Sequence, residues 1–236
     1  MRTVEKFPLF GILLGCLAAG SVAQEVNVMG RIFVGGKAPS ANSTVVWLTP
    51  VDQPDAEPAP PMHAVLRQKN KSFQPHLLVV TKGSAVEFPN DDPWFHNVFS
   101  YFDGKRFDLG LYEAGTTKTE HFDRVGVSYI FCNIHPEMSA VVVVLSSNHF
   151  AVPDKQGDYA IAGVPPGRYK LRVWSENIEP AALQALTRDI QISENTHTLG
   201  AIHVPAPPLI TVAHKNKYGQ DYEPPSPTSP AYAQQP

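Results

Sequence analysis

The sequence predicts an all-β protein, and three observations carry that prediction. Short runs rich in Val, Ile, Phe and Tyr recur from Val26 to Val204, many of them alternating apolar with polar residues, which is the period of a strand with one buried face. Turn-forming clusters separate them, among them Gly35-Gly36-Lys37-Ala38-Pro39, Lys82-Gly83, Asp103-Gly104, Arg124-Val125-Gly126 and Val164-Pro165-Pro166-Gly167, where Gly and Pro supply the backbone angles a strand cannot. Helical periodicity is absent except at Pro180 to Leu186, enough for about one turn.

In chain order, Val26, Val28, Ile32 and Val34 alternate as a first strand, and Thr44 to Leu48 is a second. Residues 51–62 carry prolines and acidic side chains and read as a linker. A new series follows at Ala64 to Gln68, His76 to Val80, Ser84 to Phe88, Asn97 to Ser100, Lys118 to Phe122, Val127 to Phe131 and Ala140 to Leu145. Strands this short and this regularly spaced indicate one compact β-sandwich over residues 62–146. Asp158 to Ile161 and Arg168 to Trp174 flank a Pro-Pro-Gly turn as a hairpin, and Asp189 to Ile192 and His197 to Val204 add two strands. From Pro205 to Pro236, prolines dominate and aliphatics are few, so residues 205–236 are expected to form a disordered tail. At 236 residues the chain accommodates two ordinary domains.

Residues 1–23 have the three parts of a secretion signal: basic Arg2 and Lys6, an apolar run from Phe7 to Gly20, and a small-x-small ending at Ser21-Val22-Ala23. Cleavage there starts the mature chain near Gln24 and predicts a periplasmic or extracellular protein, whereas cleavage before Cys16 would leave a lipid anchor instead. No later segment approaches the roughly 20 apolar residues of a membrane span. The formal charge is −3, and loss of Arg2, Glu5 and Lys6 makes it −4. With no basic cluster to grip phosphate, nucleic acid is excluded as a partner.

Once Cys16 has left, Cys132 is the only thiol, and no internal disulfide can form. A solitary thiol in an oxidising compartment calls for a purpose, and metal ligation provides one, because a coordinated thiolate is deprotonated and shielded. Its neighbours fit. Cys132, His135 and Met138 share one short loop, and His96 opens a strand upstream. A thiolate, two imidazoles and a thioether are the soft set that selects copper over hard cations, with a trigonal His₂Cys plane and a weak axial Met as the expected geometry.

Over Asn70 to Leu145 the chain resembles the cupredoxins. The likeness is carried by Phe73-Gln74-Pro75, by Lys82 to Asp91, by His96-Asn97-Val98, by the strand Gly126 to Cys132, and by a Cys-x-x-His-x-x-Met spacing like that of the amicyanin and plastocyanin branch. The resemblance implies a Greek-key β-sandwich with one type 1 copper ion, His96, Cys132 and His135 as equatorial ligands, and Met138 as the axial one. It further implies that Asn97 ties the two ligand segments together by hydrogen bonds, and that the His135 imidazole reaches the surface through an apolar patch where redox partners dock briefly. Ile134, Pro136, Trp94 and Phe95 are the candidates for that patch.

A second resemblance frames the first. Gly30-Arg31-Ile32 to Val46-Trp47-Leu48, continued by Asp154-x-x-Gly157-x-Tyr159 and Val164-Pro165-Pro166-Gly167-x-Tyr169-x-Leu171, is similar to the carboxypeptidase-regulatory-like, transthyretin-type sandwich, also classed as carbohydrate-binding-like. It implies a sandwich of residues 25–55 and 147–204 split by the cupredoxin insertion, with carbohydrate as a candidate ligand.

The resulting expectation is an exported blue copper protein that moves single electrons and performs no catalysis, since four side chains leave no coordination position for substrate. Copper storage or delivery, and an envelope binding module with an incidental metal, are the competing classes. Glu137, a carboxylate inside the ligand loop, is expected to lower the reduction potential by favouring Cu(II). His63, His76, His121, His149, His197, His203 and His214 lack a second soft ligand at useful spacing and are expected to be structural, with His121 the one whose strand could pass near the site. Asp91 and Asp92, between Asn90 and Pro93, are expected to serve a turn.

Overall fold

The computed structural model describes residues 24–40, 42–52, 59–101, 104–208 and 214–222. The expected secretion signal at 1–23, with Cys16, lies outside the described residues, as do residues 53–58 of the expected linker and 223–236 of the expected tail.

The regular structure of the described residues is almost all strand, with one short helix. In order they are β1 (Val26–Val34), β2 (Thr44–Pro50), β3 (His63–Val65), β4 (Arg67–Gln68), β5 (Phe73–Gln74), β6 (Leu77–Thr81), β7 (Ser84–Pro89), β8 (His96–Ser100) and β9 (Phe107–Tyr112). There follow β10 (Thr117–Phe122), β11 (Gly126–Phe131), β12 (Ser139–Leu145), β13 (Phe150–Ala151), β14 (Asp158–Val164), β15 (Gly167–Ser175), the helix α1 (Pro180–Ala185), β16 (Arg188–Ile192) and β17 (Thr198–Val204).

Residues 63–145 make two main sheets, ordered β10-β7-β3 and β6-β12-β11-β8-β9, and the short pair β4-β5. Val86 and Phe88 of β7 and Phe122 of β10 share one core with Val80, Val98, Ile130, Ala140, Val142 and Val144 of the larger sheet. The two sheets therefore close as a sandwich, each giving the apolar half of an alternating pattern to the interior. The remaining strands form sheets ordered β14-β1-β17 and β13-β2-β15-β16. Both are mosaics of sequence: β1 runs antiparallel to β14 and parallel to β17, while β2 pairs antiparallel with β13 and β15. Strands from before and after residues 63–145 thus share sheets.

Strand β12 touches both halves, as does its neighbour β6. Along β12, Ala140, Val142 and Val144 belong to the core around Cys132, whereas Val141, Val143 and Leu145 belong to the core of the flanking sheets together with Leu77 and Val79 of β6. Burial on both faces explains why Ser139–Leu145 reads as an unbroken aliphatic run rather than an alternating one.

Besides the two-residue strands β5 and β13, which are not among the expected runs, two elements depart from the sequence expectation. Strand β9 was not anticipated, because Asp108 and Gly110 are poor strand residues. Gly110 adopts φ +69°, and the register against β8 slips between Asn97 and Phe99, so a bulge absorbs both residues. The tail, expected to be disordered over 205–236, is structured at 214–222. Few aliphatics are needed there, because Asn216 Oδ1 accepts the main-chain N–H groups of Tyr218 and Gln220 at 2.9 and 3.0 Å, and Asn216 N–H donates to Gln220 O at 2.9 Å. Gly219 takes the positive φ that closes this turn.

Candidate metal centre

Three of the predicted ligands converge. His96 opens β8, which is buried along its whole length between β11 and β9. Cys132 follows the last residue of β11, and the chain then doubles back into β12: Cys132 N–H donates to Met138 O at 3.3 Å and Met138 N–H to His135 O at 3.0 Å. That tight closure turns the His135 imidazole inward. Its Nδ1 lies 3.1 Å from His96 Nδ1, and Cys132 Sγ lies 3.6 Å from His135 Nδ1 and 3.9 Å from His96 Nδ1. All three are buried, with 0%, 0% and 2% exposure for His96, Cys132 and His135.

The triangle has the dimensions of a metal site. Its corners are all about 2.1 Å from a common centre, and bonds from a transition ion such as zinc run about 2.0–2.1 Å to imidazole nitrogen and about 2.3 Å to thiolate sulfur. Met138 is fully buried in the same core cluster as Cys132. Among the described residues, His96, Cys132 and His135 are the one group of three or more His, Cys, Asp or Glu side chains close enough to hold an ion, and exposed His121 is not part of it.

The protonation states suit ligation. Burial holds His135 down at about 4, with the neighbouring His96 adding to the effect. Burial likewise lowers His96, although Asp92 opposes it. Both imidazoles are therefore neutral near pH 7 and keep a lone pair for a metal. Burial pushes the Cys132 thiol up, and the main-chain N–H groups of Asn97, Ile134 and His135, which hydrogen-bond the sulfur, act the other way by favouring thiolate.

Asp92 is the residue that sequence reasoning missed. Instead of serving only a turn, its carboxylate is buried and its Oδ2 lies 2.8 Å from His96 Nε2. A carboxylate can only accept, so the His96 proton sits on Nε2 and Nδ1 faces the triangle with its lone pair. Asp92 is itself anchored by the main-chain N–H groups of Asn70 at 2.6 Å and Lys71 at 2.8 Å. Burial would raise its carboxyl, but the donors from Lys71, His96 and Asn70 prevail and keep it below its ordinary value. A carboxylate four residues before a ligand histidine was the available signal, and its run of turn-forming neighbours concealed it.

Two further expectations are adjusted. Asn97 does link the ligand segments, but through its main-chain N–H to the sulfur. Its side-chain Nδ2 donates to Asp108 Oδ1 of β9 at 2.7 Å. The His135 imidazole, which by resemblance should reach the surface, is buried, while Pro136 and Glu137 beside it are exposed and Trp94 and Phe95 are half-buried. His214, expected to be structural, stacks on Phe131 with ring centroids 4.0 Å apart.

No protein-family model matches the chain, and no curated protein matches it. Among solved structures, a purple cupredoxin from Nitrosopumilus maritimus is similar over 35% of this chain and 99% of its own, at 24% identity and a TM-score of 0.32. Amicyanin from Paracoccus versutus is similar over 42% of this chain and 97% of its own, at 20% identity and a TM-score of 0.32. A copper-containing nitrite reductase from Thermus scotoductus is similar over 42% of this chain at 23% identity and a TM-score of 0.35, and the chain spans 26% of that protein.

Proposed function

We propose that this protein is a cupredoxin-type electron carrier, holding one type 1 copper ion at His96, Cys132 and His135 with Met138 as the axial ligand, and passing single electrons between redox partners. The observation that carries the proposal is the buried triangle of one sulfur and two Nδ1 atoms, whose sides fit three bonds to a common centre. Bound there, copper would supply the one-electron Cu(II)/Cu(I) couple. The chain supplies rigidity: Asp92 fixes the His96 ring, three main-chain N–H groups fix the sulfur, and the Cys132–Met138 closure fixes the loop. A site that barely rearranges between charge states moves electrons with little delay. Four side chains leave no place for a substrate, which supports a carrier rather than an enzyme.

Storage or delivery calls for a metal that exchanges readily, and the burial of all three donors favours retention instead. Partners would dock briefly near the loop carrying His135, at contacts below roughly 1,200 Å². The basic, apolar and small-residue pattern of residues 1–23 supports export, and among the described residues no helix is long and apolar enough to cross a membrane. The test is optical and paramagnetic resonance spectroscopy of the copper-loaded protein beside Cys132→Ser. An intense visible band that bleaches reversibly with reductant and is lost in Cys132→Ser is expected. A copper-loaded protein without that band would overturn the proposal.

A further inference from the structure

The segment His214 to Tyr222 reaches the ligand loop from outside, 76 residues beyond Met138 at its nearest, and grips it at three points. His214 Nε2–H donates to Pro136 O at 2.8 Å, Tyr222 O–H donates to Cys132 O at 2.9 Å, and the main-chain N–H of Lys217 donates to Asn133 Oδ1 at 3.0 Å. The two gripping side chains stand together. The Tyr222 ring meets the His214 ring edge-on at 5.2 Å, and the other face of the arrangement is closed by His214 stacking on Phe131. Between them, residues 215–221 close on themselves through the Asn216 turn and the Lys215–Asp221 ion pair, so the ends are presented side by side by a preformed loop. Lys217 Nζ adds an ion pair with Asp108 Oδ2 at 2.9 Å, the carboxylate whose other oxygen accepts from Asn97.

We infer that residues 214–222 are a clamp that holds the turn Cys132-Asn133-Ile134-His135-Pro136 in its metal-binding shape. The placement of the contacts is the reason. Inside the turn, Cys132 N–H, Met138 N–H and the carbonyls of His135 and Met138 bond one another. The carbonyls of Cys132 and Pro136, at the two ends of the turn, are taken up by the clamp. Pinning both ends fixes the arc on which the Cys132 sulfur and the His135 imidazole ride. Tyr222 and His214 are therefore positioning residues: neither would touch a metal, and both act through the ligand they hold. The inference rests on the copper reading above, because a rigid turn matters most where an electron must pass without rearrangement.

The test uses the full-length protein with Tyr222→Phe, His214→Ala and the two combined. In the metal-free protein, amide hydrogen exchange of residues 133–138 is expected to quicken at least 10-fold in the double variant, while exchange in β14 and β15 is unchanged. In the copper-loaded protein, loss of Cu(II) to a chelator is expected to quicken by a similar factor, with Tyr222→Phe, which removes one hydroxyl, giving part of the effect. Unchanged exchange in the loop of a folded double variant would overturn the clamp. Because the exchange measurement needs no copper, it stands even if the loaded wild-type protein lacks the blue band, an outcome that sinks the electron-carrier reading alone.

Discussion

Oδ2 of Asp92 lies 2.8 Å from Nε2 of His96, with both side chains buried. The carboxylate sets which ring nitrogen faces the ligand triangle and increases the basicity of that nitrogen, and removal of such a partner typically costs about 10–100-fold in metal affinity. Asp92→Asn removes the charge while keeping an acceptor of the same shape. Copper affinity, measured by competition against a chelator of known strength, is expected to fall about 10-fold or more, with circular dichroism unchanged. Equal affinity in the two proteins would show that the pair only supports the fold.

Glu137 lies in the ligand loop but is exposed. Its negative charge favours Cu(II), so Glu137→Gln is expected to raise the reduction potential. Water screens an exposed charge, which limits the change to about 1 kcal/mol or less. Voltammetry at low and at high salt checks both points. The shift should shrink as salt is added, and a fall in potential would contradict the assignment.

His76 joins the two halves of the molecule. Its Nδ1 faces Ser139 O at 3.2 Å and its Nε2 faces Glu176 Oε2 at 2.9 Å, so the imidazolium, with a proton on each nitrogen, satisfies both acceptors. Glu176 raises the His76 pKa above its ordinary 6.5 despite partial burial. A raised folded-state value stabilises the fold fully below the unfolded pKa, and the contribution disappears as pH rises through the folded one. Thermal melts of wild type and His76→Gln should therefore differ more at pH 6 than at pH 9, by about 1 kcal/mol at most for a pair still partly open to solvent. A gap that widens with pH would refute this.

Val142 and Val143 are adjacent on β12 but belong to different cores. Truncating either to Ala removes buried methyl groups at a cost of about 1–3 kcal/mol. Because one strand serves both cores, each variant should lower a single cooperative transition. Trp174 fluorescence, from the flanking core, and copper absorbance should report the same midpoint in Val142→Ala and in Val143→Ala. Separate midpoints would mean that the halves unfold independently.

Much of this architecture is legible in the residues, and the exceptions have physical causes. The candidate ligands stand out because Cys132, His135 and Met138 are crowded into seven positions and are chemically unlike their surroundings. Most strands announce themselves by alternation, as at Val86 and Phe88. Strand β9 does not, since Gly110 and Asp108 serve a bulge and a side-chain network rather than a packed face. Asp92 is hidden because turn residues and buried hydrogen-bond acceptors are drawn from the same few types. His214 and Tyr222 act by a stacked ring and by bonds to main-chain carbonyls, contacts that leave no spacing or periodicity to read.

The two-sided burial of β12 has a consequence for anyone wishing to isolate the metal-binding half. Excised as residues 62–146, that half would expose Leu77, Val79, Val141, Val143 and Leu145 to water. At about 1.5–3 kcal/mol per side chain, this forfeits on the order of 10 kcal/mol, comparable to the whole net stability of a typical domain at about 5–15 kcal/mol. Such a fragment would aggregate through a greasy flank that the intact chain never shows, and the smallest useful version of this protein therefore includes the strands on either side.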